Sequence, residues 1–510
     1  MIIRLLLGDQ LFEKHPWFDK VDDKVLYVQM ELRQETDYCL HHIQKIIGFF
    51  GAMRNFKKKL EKKGHKVYYL NLDDPDNTQN LEKNLVYIFN KFQASFFEYQ
   101  YPDEYRLAKQ LSDICLKLSI PFTKVDTYHF MATHQEIKDY FTGKKQYVLE
   151  FFYRKMRKKF DILMEGEQPL GGKWNFDKSN RKKWNGSPKI PKVFSPSKKE
   201  LNYLYEIIKK NKIKSLGKFD PENFIYPISR EECLEQLEYF CKNLLIHFGD
   251  FQDALHTEEL NLYHSRLSFG LNTKMISPLE VVEHVIEYYR KNKHEIGLSQ
   301  VEGFVRQIVG WREYMRGIYW TQMPEYKKNN RLKNKNSLPK FYWNAKTKMN
   351  CLHNSVKNSL DNAYAHHIQR LMILGNFALL AQVNPDEVDD WFLGIYADAI
   401  EWVQLPNTRG MSQWADGGIV ATKPYVSSAS YINKMGNYCE NCSYDKKKRT
   451  GKSACPFNSL YWNFLEEKKE YFFKNNRMAM MLRLLEKIPS NELEEIKQRA
   501  NLIISNPDAF

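Results

Sequence analysis

Across residues 1–135, short apolar runs alternate with stretches of helical spacing, and this alternation constrains the chain more than any other feature. IIRLLLGD closes on Gly8-Asp9, KVLYVQ spans 24–29 and HKVYYLNL spans 65–72. Between the second and third runs, DYCLHHIQKIIGFFGAMRNFKKKLEKKG repeats apolar residues at helical spacing and meets a stop at Gly64. Strands separated by helices pair in parallel, so the pattern predicts an α/β N-terminal domain on a parallel, Rossmann-like sheet. Ligands of such sheets sit outside the carboxyl ends of the strands. That puts Asp9, Gln10 and the turn after Gln29 on the rim of a candidate pocket. No GxGxxG follows the first run, so the usual dinucleotide fingerprint is missing.

Further along, the pattern changes. GKWNFDKSNRKKWNGSPKIPKVFSPSKKE (Gly172 to Glu200) carries nine Lys/Arg against Asp177 and Glu200. Pro188, Pro191 and Pro196 prevent a continuous helix there, which predicts a basic linker. From 228 onward helical patterns dominate. The expected organisation is an α/β domain over 1–135, a connector over 136–227 and an all-α domain over 228–510. The excess of Lys+Arg over Asp+Glu, 77 − 62 = +15, favours a polyanionic partner such as nucleic acid, although a solvated basic surface explains it too. The opening apolar run is short for a signal peptide and meets Asp9 at once. No stretch approaches the ~20 apolar residues of a membrane span. The expectation is a cytoplasmic protein without a membrane partner.

Four of the eight cysteines fall in the last third of the chain. Cys439 and Cys442 form CxxC, Cys455 precedes Pro456, and Cys351 lies upstream. A CxxC pair with a third cysteine at short range can wrap one metal centre, the fourth ligand being brought in by the fold. The spacing admits an iron–sulfur cluster, a zinc ion or unligated thiols. Cys39, Cys115, Cys233 and Cys241 have no such grouping and read as small buried apolar residues.

Three further segments carry chemistry. YHSRLSFGLNTKMISP (Tyr263 to Pro278) offers hydroxyls and backbone N–H groups at a helix start, as a pyrophosphate needs, or simply a capped turn. EGFVRQIVGWREYMRGIYW (Glu302 to Trp320) repeats Gln307, Trp311 and Tyr314 on one helical face, which taken alone reads as core. AHHIQRLMILGNFALLAQV (Ala365 to Val383) is followed by DDWFLGIYADAIEWVQLPNTRGMSQWADGG (Asp389 to Gly418). Together and in this order, SRLS, WRE, HHxxR and LPNTRG resemble the FAD cradle of the photolyase/cryptochrome family. The four cysteines and GDQL narrow the resemblance to its bacterial iron–sulfur branch, which includes prokaryotic 6-4 photolyases and related cryptochromes. It runs from about residue 3 to beyond 480.

The resemblance implies an antenna domain, a connector and a helical domain holding FAD, with a 4Fe–4S cluster on Cys351, Cys439, Cys442 and Cys455. His264, Ser265, Arg266, Leu267 and Ser268 match the phosphate-binding segment, and Gln307, Trp311 and Arg312 the helix beside flavin and substrate. Arg370, Glu401 and Asn407 are its candidates for polar contact with the flavin. The antenna of this branch is usually 6,7-dimethyl-8-ribityllumazine, for which Asp9, Gln10 and Glu35 are the candidate contacts. Trp391 and Trp343 match the electron chain that reduces the flavin. Residue 392, usually Tyr, is Phe here and much harder to oxidise.

The implied activity is light-dependent repair of 6-4 pyrimidine photoproducts, a carbon–carbon lyase reaction driven by reduced FAD. A histidine would serve as acid, since its pKa lies near 6.5. His367 occupies the matching position with His366 beside it, while Leu371 stands where eukaryotic-type enzymes carry another histidine. A cryptochrome-type photoreceptor with the same cofactors is the alternative. Cyclobutane-dimer repair fits less well, having no need of the histidine acid. The expected partner is UV-damaged DNA, bound by a monomer associated with the bacterial nucleoid. YKKNNRLKNKNSLPKFYWNAKTKMNC (Tyr326 to Cys351) supports this with eight Lys/Arg, no acidic residue, and Phe341, Tyr342 and Trp343 among them. KKKR (Lys446 to Arg449) is a second basic candidate. Tyr425 is a lesion contact by resemblance alone.

Overall fold

The three apolar runs form strands, and two more complete a sheet. In the computed structural model, which describes residues 1–118, 120–144, 146–196 and 201–510, these are β1 (Ile2–Leu5), β2 (Val25–Met30), β3 (Val67–Leu70), β4 (Phe96–Gln100) and β5 (Phe122–Val125). All pair in parallel in the order β3-β2-β1-β4-β5, with Ile3 opposite both Leu26 and Phe97. Every residue of β2 is buried, as a strand covered on both faces requires. Leu26 and Val28 pack on one side with Leu85, Ile88, Leu111 and Ile114, from helices Leu81–Lys91 and Tyr105–Lys117. Val25 and Tyr27 face the other side and the helix Ile43–Lys62. That helix ends where Gly64 adopts φ +94°, a conformation a side chain would strain.

The core under helix Ile43–Lys62 does not stop at the α/β domain. It includes Ile47 and Phe50 together with Leu267, Phe269, Tyr314 and Ile318 of the helical part. A buried ion triad fastens the same junction: Lys274 Nζ lies 2.5 Å from Asp103 and 2.9 Å from Asp9, its side chain fully buried. A second core joins Leu374, Phe377, Trp391, Phe457 and Phe464 in the C-terminal helices.

The connector is packed rather than free. It includes helices Leu149–Lys159 and Asn202–Lys210. Its basic, proline-bearing stretch is held by Trp184 and Tyr263, whose Nε1–H and hydroxyl donate to the Pro188 carbonyl at 2.8 and 2.9 Å. Residues 197–200 of that stretch lie outside the described residues. Three seven-residue π-helical turns interrupt the helical domain, at Arg306–Arg312, Gln369–Gly375 and Pro406–Ser412. Each falls in one of the motif segments, and π turns gather at functional sites.

Candidate functional site

The segment Tyr263 to Pro278 and the π turn Gln369–Gly375 meet at three histidines. His264 stacks on His366, with ring centroids 4.8 Å apart and planes 12° apart. His367 meets the His264 ring edge-on at 5.4 Å. Ligand atoms of the three lie within 4.8 Å of one another. Nε2 of His264 and both ring nitrogens of His366 are buried without a hydrogen-bond partner. Burial holds His264 down to about 3, and burial, with His264, His367 and Arg370 beside it, holds His366 well below the usual histidine value. Both rings are therefore neutral at pH 7. His367 differs: it is largely exposed and lies 3.3 Å from Asp253 Oδ1.

Beside the histidines, Arg370 makes two contacts with Asp398, at 3.0 and 3.2 Å. Ser268 Oγ donates to the same carboxylate at 2.7 Å. Arg370 also lies 3.8 Å over the Tyr396 ring. The SRLS turn is set from behind by Gln236, which donates to the carbonyls of Ser265 and Arg266. Arg266, at φ +55°, spends its guanidinium on the Ile225 and Phe194 carbonyls. Leu267 is core, and Ser265 Oγ accepts from the Leu267 amide. Gly375 has to be glycine, because a Cβ there would stand 2.0 Å from Ser412 Oγ of the next π turn.

Other residues implied by the resemblance are placed elsewhere. Arg312 sits over the Phe130 and Trp402 rings at 4.7 and 4.8 Å, its pKa lowered to about 10 by burial. Trp311 packs at the edge of the core, 6.1 Å from the Tyr314 ring, and Gln307 is half-buried. Glu401 is turned to the domain junction, accepting from Tyr319 at 2.6 Å and pairing with Lys327 at 3.3 Å. Asn407 Nδ2 is used by the Val403 carbonyl one turn back. Arg409, not singled out by its motif, is 98% buried by side chain and bound to Asp389 and Asp386.

Trp391 is 1% exposed and donates through Nε1 to the Tyr342 carbonyl at 3.1 Å. Its ring touches Tyr342 at 5.1 Å, Phe392 at 5.2 Å and Tyr396 at 5.9 Å. A run of oxidisable rings thus leads from Tyr396, under Arg370, through Trp391 to Tyr342. Trp343, the next residue, is 43% exposed. The grouping of Phe341, Tyr342 and Trp343 as nucleic-acid contacts is corrected here. Phe341 and Tyr342 are fully buried in the second core, where apolar packing outweighs exposure, and only Trp343 reaches the surface. In the same segment Arg331, Lys333, Lys335, Lys340, Lys346 and Lys348 are exposed, and none pairs with a carboxylate among the described residues. In KKKR, by contrast, Lys446 bonds Asn433 and Arg449 pairs with Glu492.

A second cavity opens at the carboxyl ends of β1, β2 and β4, the switch point of the sheet order. Asp9 and Glu35 line it, with Met30, Lys45, Phe49 and Glu104. Gln10 does not: its amide donates to the Gln100 and Tyr101 carbonyls and accepts from Leu7 N–H. Arg106 clamps Glu35 with two hydrogen bonds and reaches Glu104 at 2.8 Å. Glu104 Oε1 in turn accepts from Glu401 N–H, so the cavity wall is bonded to the helical domain. Burial pushes the Glu104 carboxyl up to about 7.

The four C-terminal cysteines converge. The Cys351 thiol is pushed well up by burial and then by Cys455, Cys439 and Cys442. Cys351 opens helix Asn350–Asn362 and Cys455 caps helix Pro456–Glu467. Asn350 Nδ2 donates to the Tyr438 carbonyl at 2.9 Å and draws the CxxC turn against the first of these helices. Cys39, Cys115, Cys233 and Cys241 are apart from this group; the last three are buried. Tyr425 is half-buried, with the charges of Asp177, Arg181, Arg477 and Arg306 acting on its hydroxyl. Arg181 of the connector therefore faces the same edge as Tyr425.

An α/β domain with a cavity at its strand ends, bonded to a helical domain that buries unpartnered histidine nitrogens, defines a two-domain cofactor-binding class. A family model described as deoxyribodipyrimidine photo-lyase-related protein matches residues 4–224. A (6-4) photolyase of Agrobacterium fabrum is 42% identical over 481 residues, which is 93% of this chain and 93% of the relative. At that identity and coverage, the chain belongs to the photolyase/cryptochrome family. Its fold is also that of two solved structures. One is a bacterial class III photolyase from Agrobacterium tumefaciens, with a TM-score of 0.57 and 13% identity, covering 99% of this chain and 97% of that one. The other is the cryptochrome of Synechocystis sp. PCC6803, with a TM-score of 0.56 and 11% identity, covering 97% and 93%. No helix among the described residues is long and apolar enough to cross a membrane.

Proposed function

We propose that this protein is a light-dependent DNA photolyase acting on 6-4 pyrimidine photoproducts, the activity named for its 42%-identical relative. The observation that carries the reading is the His264–His366–His367 cluster. Its unpartnered buried nitrogens stand beside the Arg370–Asp398 pair, and its third ring is open to solvent. Buried polar atoms without partners are rare in folded proteins and call for a bound polar group.

FAD, which membership of the family implies, fits that donor set. When bound, it supplies light absorption and the transferable electron. Ser265, Ser268 and Arg370 would hold it, with Asp398 fixing both Ser268 and Arg370. His366 is aimed by its stack on His264 and would present a ring nitrogen to the lesion. His367, paired with Asp253 at the surface, would exchange protons with water.

The cysteines support a 4Fe–4S cluster. A single tetrahedral zinc, at about 2.3 Å from each sulfur, would draw the thiols to within about 4 Å of one another. Among the described residues, only the histidine cluster gathers at least three ligand atoms within 4.8 Å. The cavity at Asp9 and Glu35 would hold the ribityllumazine antenna. In this reading 1–135 is the antenna domain, 136–227 the connector and 228–510 the FAD and cluster domain of a cytoplasmic, nucleoid-associated monomer. The test is restoration of bases in an oligonucleotide bearing one 6-4 lesion, under blue light and in darkness. Light-dependent restoration supports the reading. None, from protein that holds FAD and binds the DNA, makes it a photoreceptor instead.

A further inference from the structure

Phe473 is 83% exposed, the barest of the large apolar side chains among the described residues. It opens a turn, Phe473-Lys474-Asn475-Asn476-Arg477, that contains no acidic residue. The turn is anchored, not loose. Phe472 behind it is fully buried against Trp414, with ring centroids 5.4 Å apart. Asn475 Nδ2 donates to the Thr422 carbonyl at 2.9 Å. Thr422 begins the segment that leads to Tyr425, and the Arg477 charge acts on the Tyr425 hydroxyl. On the other side, Arg331 of the basic segment lies 5.9 Å over the Tyr471 ring. Lys423, Lys474 and Arg477 are exposed, and none pairs with a carboxylate among the described residues. Leu116, nearly as bare, lacks this setting: its neighbour Lys117 is paired with Glu82.

A rigidly based, water-exposed aromatic ring ringed by free cations suits one kind of partner. Cations hold phosphates and fix register, while an apolar wedge enters a base step and unstacks it. We propose that Phe473 is a wedge that enters the DNA duplex beside the lesion, with Lys423, Lys474 and Arg477 holding the flanking phosphates. This rests on the repair reading above and extends it to how the damaged pair leaves the stack. Extrusion costs stacking energy, and a ring inserted into the gap offsets part of that cost.

The test uses the full-length FAD-loaded protein and a 6-4 lesion duplex carrying 2-aminopurine in the adjacent pair. Native protein should brighten the probe on binding. Phe473→Ala should lose at least half of the brightening and bind the duplex about tenfold more weakly, with the salt slope unchanged because no charge is removed. Affinity for the lesion in a single strand should stay at the native value, and Phe473→Trp should restore the signal. Arg477→Ala should instead lower the salt slope by about 1. Equal brightening and affinity in Phe473→Ala, with native binding intact, would sink the wedge alone. So would loss of self-association in Phe473→Ala with DNA binding untouched, which would make the patch a contact between copies. Native protein that does not bind the lesion duplex would remove both the wedge and the repair reading.

Discussion

The ring of His366 lies nearly parallel to the ring of His264, 4.8 Å away, and neither takes up a second proton at pH 7. Both folded-state values lie below the unfolded value of about 6.5. As pH falls below that value, the unfolded chain takes up protons that the folded chain refuses. Stability present above about pH 6.5 is therefore lost as pH falls toward 3, by up to about 1.4 kcal/mol per pH unit for each ring. Urea unfolding between pH 7.5 and 4.5 should show this decline. His264→Phe keeps a ring in the stack and should flatten the slope; an unchanged slope would mean that His264 is not held neutral.

Trp391 is the only tryptophan between the Tyr396 ring and the surface at Trp343 in the ring run described here. Trp391→Phe should slow flavin photoreduction by a thiol donor at least tenfold while FAD stays bound. A rate equal to native would remove Trp391 from the path. Because Phe392 cannot be oxidised in its place, Phe392→Tyr should leave the rate equal or raise it. Loss of visible flavin absorbance under blue light follows both.

Arg409 is buried with Asp389, whose carboxyl burial pushes up to about 7 even with the guanidinium beside it. Arg409→Met leaves that carboxylate without its partner and should cost about 3–5 kcal/mol in chemical denaturation. Adding Asp389→Asn should recover more than half of the loss, because the two changes act on one interaction. Additive losses would show the pair to be uncoupled.

Cys351→Ser should abolish iron and acid-labile sulfide, since all three other thiols act on the Cys351 thiol, whereas Cys115→Ser, on the far face of the sheet, should leave both at native levels. Zinc in place of iron in the native protein would overturn the cluster while leaving the fold as described.

The parallel sheet was legible because β1 to β3 fall in short, mostly apolar runs separated by helical spacing, and Gly64 ended its helix where expected. The cysteines and Arg370 were legible as residue types in a pattern. Their partners were not. Asp398 joins Ser268 from 130 positions away, and Lys274 reaches Asp9 from 265 positions away. No spacing encodes such pairs; tertiary packing creates them, within the helical domain for Ser268 and between the two domains for Lys274. Glu401 and Asn407 show the converse: a polar side chain in the right motif is taken by a nearer partner, Tyr319 or its own helix. Tyr396 was passed over, and Tyr342 was read as a nucleic-acid contact, because a ring's setting shows only through its neighbours.

The most direct test of the account is the light-driven restoration rate of a 6-4 lesion duplex, compared between native protein, His366→Asn and His367→Ala at matched FAD content and DNA occupancy. Native protein should restore the bases only under light, and each variant should lose about a hundredfold or more. Native restoration with both variants unimpaired, or no restoration at all by protein that binds the lesion, would contradict it.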